Sequence, residues 1–209
     1  MALDFPDSPS NGDVYNGFVW DNTAGLWRIA TRFGAISATG GDYTGEANGH
    51  YYHIFTNSGN FVMNTAGAVE CLLIAGGGSG GSGNNAGGGG GAGGLLHKVV
   101  TLTAGTYPVV IGAGGASVNN TDFGNAGNDS TFAGLTAIGG GYGAKNGQDG
   151  GPGGSGGGGA SGSAQGGQGG VAVGEFSAVR YQGIGEQGHS GGGGSAATSQ
   201  GAGGGGAGA

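Results

Sequence analysis

Val69-Glu-Cys-Leu-Leu-Ile-Ala75 runs without a break into Gly76-Gly-Gly-Ser-Gly-Gly-Ser-Gly83. A second run, Gly87-Gly-Gly-Gly-Gly-Ala-Gly-Gly94, delivers the chain into Leu95-Leu-His-Lys-Val-Val-Thr-Leu-Thr103. The flanks are apolar and of strand length, bounded by turn residues, so they read as strands. The glycine between them has two physical fates. It can be flexible linker, because glycine loses more chain entropy on ordering than any other residue. Or it can form polyproline II-type helices, with three residues per turn and no internal hydrogen bonds. Without Cβ atoms such helices approach closely enough for amide and Cα–H···O bonds between neighbours. A single run gains little by ordering, whereas several runs returning to one place can form a bundle. The layout recurs along the chain, which favours the bundle.

On the N-terminal side, His50–Thr56 reads as a strand that Asn57-Ser-Gly-Asn60 turns into Phe61–Met63. Thr106–Ile111 follows Ala104-Gly105. Pro108 cannot donate to a ladder, which places that strand at an edge or a bulge. Ser130–Ala133 and Leu135–Ile138 make a last short hairpin. Further glycine runs cover 139–141, 150–170 and 191–209. Six or seven short strands and no helix predict a β-sandwich accompanied by packed polyglycine II helices over residues 49–209. Residues 31–48 are polar and Gly-rich and read as a linker. Before them, Asn16-Gly17 lies between Val14-Tyr15 and Phe18-Val19-Trp20, a hairpin signal, and Leu26–Ile29 adds a third strand. Residues 1–30 are therefore expected to be a small β-meander. It is too small to bury much core alone, so Phe18, Trp20 and Trp27 need a partner surface. The whole chain is expected to be all-β.

Composition narrows the function classes. Of 209 residues 62 are glycine, and only 8% are charged. Only 4 prolines occur and no G-X-Y frame persists, so a collagen triple helix is excluded. No apolar run approaches the ~20 residues of a membrane-spanning helix. The net charge is −7, and the five cations, Arg28, Arg32, Lys98, Lys145 and Arg180, are scattered, which disfavours nucleic acid. The start of the chain lacks the basic and apolar regions of a signal peptide. Cys71 stands alone and reads as a core residue. G-x-G-x-x-G recurs by chance in so much glycine and lacks its βαβ context. No P-loop, H-E-x-x-H or C-x-x-C occurs, so neither an enzyme nor a metal or other cofactor is expected. His50 and His53, three apart in a strand, face opposite sides. Asn119–Asp129 holds oxygen ligands but not the EF-hand spacing, and reads as a solvated loop.

Binding residues are sought where the glycine runs are interrupted, because a bundle of such helices has no room for side chains and must project them as loops. Phe176, Arg180, Tyr181 and Gln182 interrupt one run, and Tyr142 and Lys145 another. Exposed aromatic and cationic side chains on rigid loops are the types that make hot spots. Capping of the bundle, or packing against a sister chain, is the alternative role.

The blocks His53–Met63, Val69–Gly78, Gly87–Gly94, Leu102–Gly115 and Gly127–Gly141, in that order, resemble the glycine-rich domain of bacteriophage tail-fibre and other virion proteins. Phe5-Pro-Asp-Ser-Pro-Ser-Asn-Gly-Asp-Val-Tyr15, with Trp20-Asp21 and Leu26-Trp27, is similar to a short module that opens many phage structural proteins, notably of cyanophages. The resemblance implies a virion structural protein, foremost a tail fibre or adhesin subunit. It would be attached to other virion proteins through Phe5, Phe18, Trp20 and Trp27, and would bind a host surface receptor through loops at the tips of the glycine bundle. A homotrimer is expected, released in the virion from a host cytoplasm without a signal peptide. A head fibre, decoration or baseplate protein is the second reading, and an ice-binding glycine-helix protein a remote third. Such domains usually close on an apolar strand, where this sequence ends in Gly-Gly-Ala-Gly-Ala209.

Overall fold

The computed structural model describes residues 8, 10, 14–15, 18–23, 25–29, 36–47, 49–84, 86–119, 121–161, 187–194 and 200–206. Every regular element in them is a strand, as the sequence predicts. Strands β1 (Val14–Tyr15), β2 (Phe18–Asp21) and β3 (Leu26–Ile29) form an antiparallel meander in which Trp20 lies opposite Trp27.

The rest is built on two antiparallel layers. The first is a five-stranded sheet. Its members are β4 (Ala38–Thr39), β7 (Gly59–Met63), β10 (Gly105–Val110), β11 (Ser130–Phe132) and β12 (Leu135–Ala137), in the order β12-β11-β10-β7-β4. The second is a ribbon of β8 (Gly67–Ile74) and β9 (Leu95–Leu102), paired from Gly67↔Leu102 to Ile74↔Leu95. Phe61, Met63, Val109 and Phe132 from the sheet meet Cys71 and Leu102 from the ribbon in one core. Edge-on aromatic contacts run through it, Phe55–Phe61 at 6.5 Å and Phe61–Phe132 at 5.6 Å between ring centres. The Cys71 thiol is buried and donates to the Lys98 carbonyl at 3.1 Å, and burial pushes its pKa up. That is the core cysteine the sequence predicts.

The linker expectation needs correcting. Residues 31–48 are not linker throughout, because β4 pairs with β7, and β5 (Tyr43–Ala47) forms a hairpin with β6 (His50–Ile54). Asn48-Gly49, with Gly49 at φ +76°, falls between the paired residues Ala47 and His50, and is the hairpin signal that betrays β5. Strands β6 and β7 form where the sequence places them, and the turn between them carries the chain from one sheet to the next. Pro108 stands in an inner strand of the five-stranded sheet. Yet β11 pairs only with Val109 and Val110, so at Pro108 the β11 side of β10 is locally an edge. The β11–β12 hairpin forms as expected, through Ala133 at φ +49° and Gly134 at φ +80°.

Asp42 locks the start of the β6–β7 turn. Its carboxylate accepts from the Thr56 amide (2.7 Å), the Thr56 hydroxyl (2.9 Å) and the Asn57 amide (2.9 Å). These bonds, the Thr56 amide first, hold its pKa below the ordinary 3.8. A lowered carboxylate stabilises the fold above its unfolded pKa, and that contribution disappears as pH falls through the folded value. Asp42→Asn should therefore lower the melting temperature at neutral pH, with the difference from the parent shrinking below about pH 4. Parallel thermal melts between pH 2 and 7 check this. A difference independent of pH would deny the carboxylate its role.

The glycine runs leave the two layers as three out-and-back excursions, and they order by hydrogen bonding to one another in a three-residue frame. Gly76, Ser79 and Ser82 donate to the carbonyls of Asn128, Asn125 and Asp122 at 3.0, 2.8 and 2.8 Å. Gly88, Gly91 and Gly94 donate to Ala144, Gly141 and Ile138, each at 2.8 Å. Gly141, Ala144 and Gly147 donate to Ser155, Gly158 and Ser161 at 2.9, 3.0 and 2.9 Å. A step of three is the polyproline II turn, so these are packed polyglycine II helices. Residues 153–161 form the innermost helix and are buried throughout. It also bonds the segments 189–192 and 202–205.

Asn119–Asp129 is corrected accordingly, since from Asp122 onward it is bundle helix rather than solvated loop. An outer helix needs glycine only where it faces a neighbour. A Cβ on Gly124 would strike the Ser79 carbonyl and one on Gly127 the Gly76 carbonyl, while Asn125, Ala126 and Asn128 lie exposed.

Candidate functional site

Strands β8, β10 and β12 each feed a glycine helix that runs away from the sheets, reverses, and returns. The bond from Gly76 to Asn128 lies near the strands, and the bond from Ser82 to Asp122 lies at the far end. Likewise Gly94 bonds Ile138 near the strands, and Gly88 bonds Ala144 farther out. The reversals around residues 83–86, 118–122 and 145–149 therefore gather at one remote end of the bundle.

That end holds a compact cluster. The Phe123 and Tyr142 rings meet edge to face, 5.4 Å between centres. Lys145 Nζ stands 4.7 Å from the centre of the Phe123 ring and 3.5 Å from Asp122 Oδ1. A cation over an aromatic face and a carboxylate beside it hold the ammonium at two points. Thr121 donates to Asn84 at 3.0 Å and ties two of the reversals together. Tyr142 and Lys145, proposed from the sequence as one interruption of the glycine, are found together, and Phe123 and Asp122 join them. The sequence reading missed these two because it assigned them to a solvated loop. A lone aromatic directly before Gly124 and Gly127, in the three-residue spacing, was the available signal.

The other candidates do not join this cluster within the described residues. Phe5, Phe176, Arg180, Tyr181 and Gln182 lie outside those residues, as do the side chains of Phe18 and Trp27. Trp20 is half-buried, and its Nε1 donates to Asn22 Oδ1 at 2.6 Å. His53 is a structural residue. Its Nδ1 lies 2.7 Å from the Gly40 carbonyl and its ring stands edge-on to Phe61 at 5.2 Å, while His50 is exposed. Among the described residues no group of three acidic, histidine or cysteine side chains is placed to hold a metal ion. A depression of about 480 Å³ beside the β11–β12 turn is lined by Tyr107, Pro108 and Leu135, among others, and presents no acid–base pair. The Tyr107 hydroxyl is engaged by Thr103.

Buried polar side chains tie the bundle to the sheets. Ser130 Oγ donates to the Ile74 carbonyl (2.7 Å) and accepts from the Gly112 amide (2.9 Å). Ser155 Oγ lies 2.7 Å from the Gly93 carbonyl and 3.0 Å from that of Gly206. Gln187 accepts from the Ile138 amide at 2.6 Å and donates to the Thr136 carbonyl at 2.9 Å. The remote cluster is therefore carried on a support that is hydrogen-bonded along its length.

No curated protein and no solved structure matches the chain. The model of a glycine-rich domain family matches residues 55–209, the span occupied by the core layers from the β6–β7 turn onward and by the whole bundle. With about three quarters of its length inside that match, the chain belongs to the glycine-rich domain family.

Proposed function

We propose that this chain is a bacteriophage virion structural protein, a tail fibre or adhesin subunit whose remote bundle end binds the host surface. The observation that carries the reading is the Phe123–Tyr142–Lys145–Asp122 cluster at the end of a packed, hydrogen-bonded projection. Packing and mutual bonding remove the conformational entropy such loops would otherwise lose on binding. Aromatic and cationic side chains are also the usual anchors of an interface. The block order and the opening module, both similar to those of virion proteins, support the address. The meander of β1–β3 would be the attachment point and the site of trimerisation. The function is binding, without covalent chemistry.

The test is cryo-electron microscopy of the particle that carries the chain, joined to adsorption of the purified, labelled chain to its host cells. Density on a distal tail projection, and a loss of tenfold or more in cell binding by Lys145→Glu at unchanged melting temperature, is the expected result. Density on the capsid would make this a decoration protein. Binding indifferent to Lys145→Glu would move the receptor site away from the cluster.

A further inference from the structure

The β8–β9 ribbon contributes one face to the core and leaves the other bare. On the bare face Leu72, Ile74 and Val99 are 59%, 54% and 65% exposed, and His97 Nε2 lies 2.7 Å from Glu70 Oε1. The two strands pair only with each other among the described strands. Three large aliphatics exposed together on one rigid face form a patch of the kind that marks an interaction surface.

The register shows what fits it. The centre of the face is a square of four residues, with Glu70 opposite Val99 and Leu72 opposite His97. The carboxylate and imidazole corners lie on one diagonal, and the two aliphatic corners lie on the other. We infer that this face meets the same face of a second copy of the chain about a twofold axis lying in the interface along the aliphatic diagonal. With strands about 4.8 Å apart and same-face residues about 6.8 Å apart, that rotation sets Leu72 against Leu72 of the second copy and Val99 against Val99. It places each Glu70 over the other copy's His97. The strands then cross at roughly 70°, near the orthogonal class of sheet packing. The patch is thus complementary to itself in both apolarity and hydrogen bonding, as a twofold contact requires. This contact does not depend on the receptor-binding reading.

Sedimentation of the full chain and cysteine cross-linking test it. The parent chain should associate at micromolar concentration, and Val99→Lys should raise the dissociation constant at least tenfold while melting at the same temperature. Glu70→Lys should weaken association, and adding His97→Glu should restore it. Leu72→Cys should be joined into a covalent dimer by a short bismaleimide, whereas Ala68→Cys, exposed on the same face but about 8 Å from the axis, should not. A parent chain that stays monomeric, an association indifferent to Val99→Lys, or equal trapping at both cysteines would overturn the proposal.

Discussion

Gly157→Val should collapse the bundle. Gly157 lies in the innermost glycine helix and donates to the Gly151 carbonyl at 2.9 Å. A Cβ there would fall inside the van der Waals envelope of the Tyr142 carbonyl, with the Gly141 carbonyl 3.1 Å away. Overpacking a core costs about 1–3 kcal/mol when side chains can rearrange. Here the obstacle is backbone already bonded into the frame, so relief requires neighbouring helices to separate and lose their mutual bonds. The same logic makes a Gly replacement disruptive at the axis of a collagen helix. A loss of at least about 3 kcal/mol is expected, which for a chain of this size lowers the melting temperature by roughly 6–12 °C. Proteolysis should then cut within residues 76–94, which the bundle shields. Gly203→Ala is the matched control. Nothing lies within 4 Å of its new Cβ, so it should be neutral or stabilise by up to about 1 kcal/mol through the unfolded chain. If both variants melt like the parent, the glycine helices are not packed as described.

The second large effect is expected at Gln187, which is 4% exposed. Its side-chain amide satisfies the Ile138 N–H and the Thr136 carbonyl at the point where β12 becomes a glycine helix. Its own carbonyl accepts from the Leu95 amide at 2.8 Å, where another helix becomes β9. Gln187→Leu keeps the bulk but strands one donor and one acceptor in the interior. Each costs about 1–3 kcal/mol, so the variant should lose about 2–6 kcal/mol. Amide exchange gives the sharper reading, because Ile138 should lose protection ahead of the core strands. If Ile138 stays protected and stability holds, the junction is made by other groups.

Most strands could be read directly because their signal is local. Val69–Ile74 and Leu95–Leu102 are apolar and bounded by glycine, and the β11–β12 hairpin is fixed by two adjacent residues. Strand β5 escaped because Tyr43-Thr-Gly-Glu-Ala47 carries no apolar alternation, and only Asn48-Gly49 announced its hairpin. The helices at 112–118 and 123–129 escaped for another reason. Outer positions tolerate Asn, Ser and Ala, so the composition looks like loop while glycine recurs only every third residue. The remote cluster was half legible. Tyr142 and Lys145 stood out as side chains interrupting glycine, but their union with Phe123 and Asp122 joins residues about twenty apart.

By itself the sequence determined that this protein is all-β, where most of its strands lie, and that its glycine must either bundle or remain linker. Those are consequences of local sterics, of missing Cβ atoms and of short apolar runs. Only the tertiary structure decided that the runs form one bundle, which helix lies innermost, and which reversals share an end. A polyglycine II helix has no hydrogen bonds of its own. Its order, register and neighbours exist only through bonds to other helices, and no single segment encodes them.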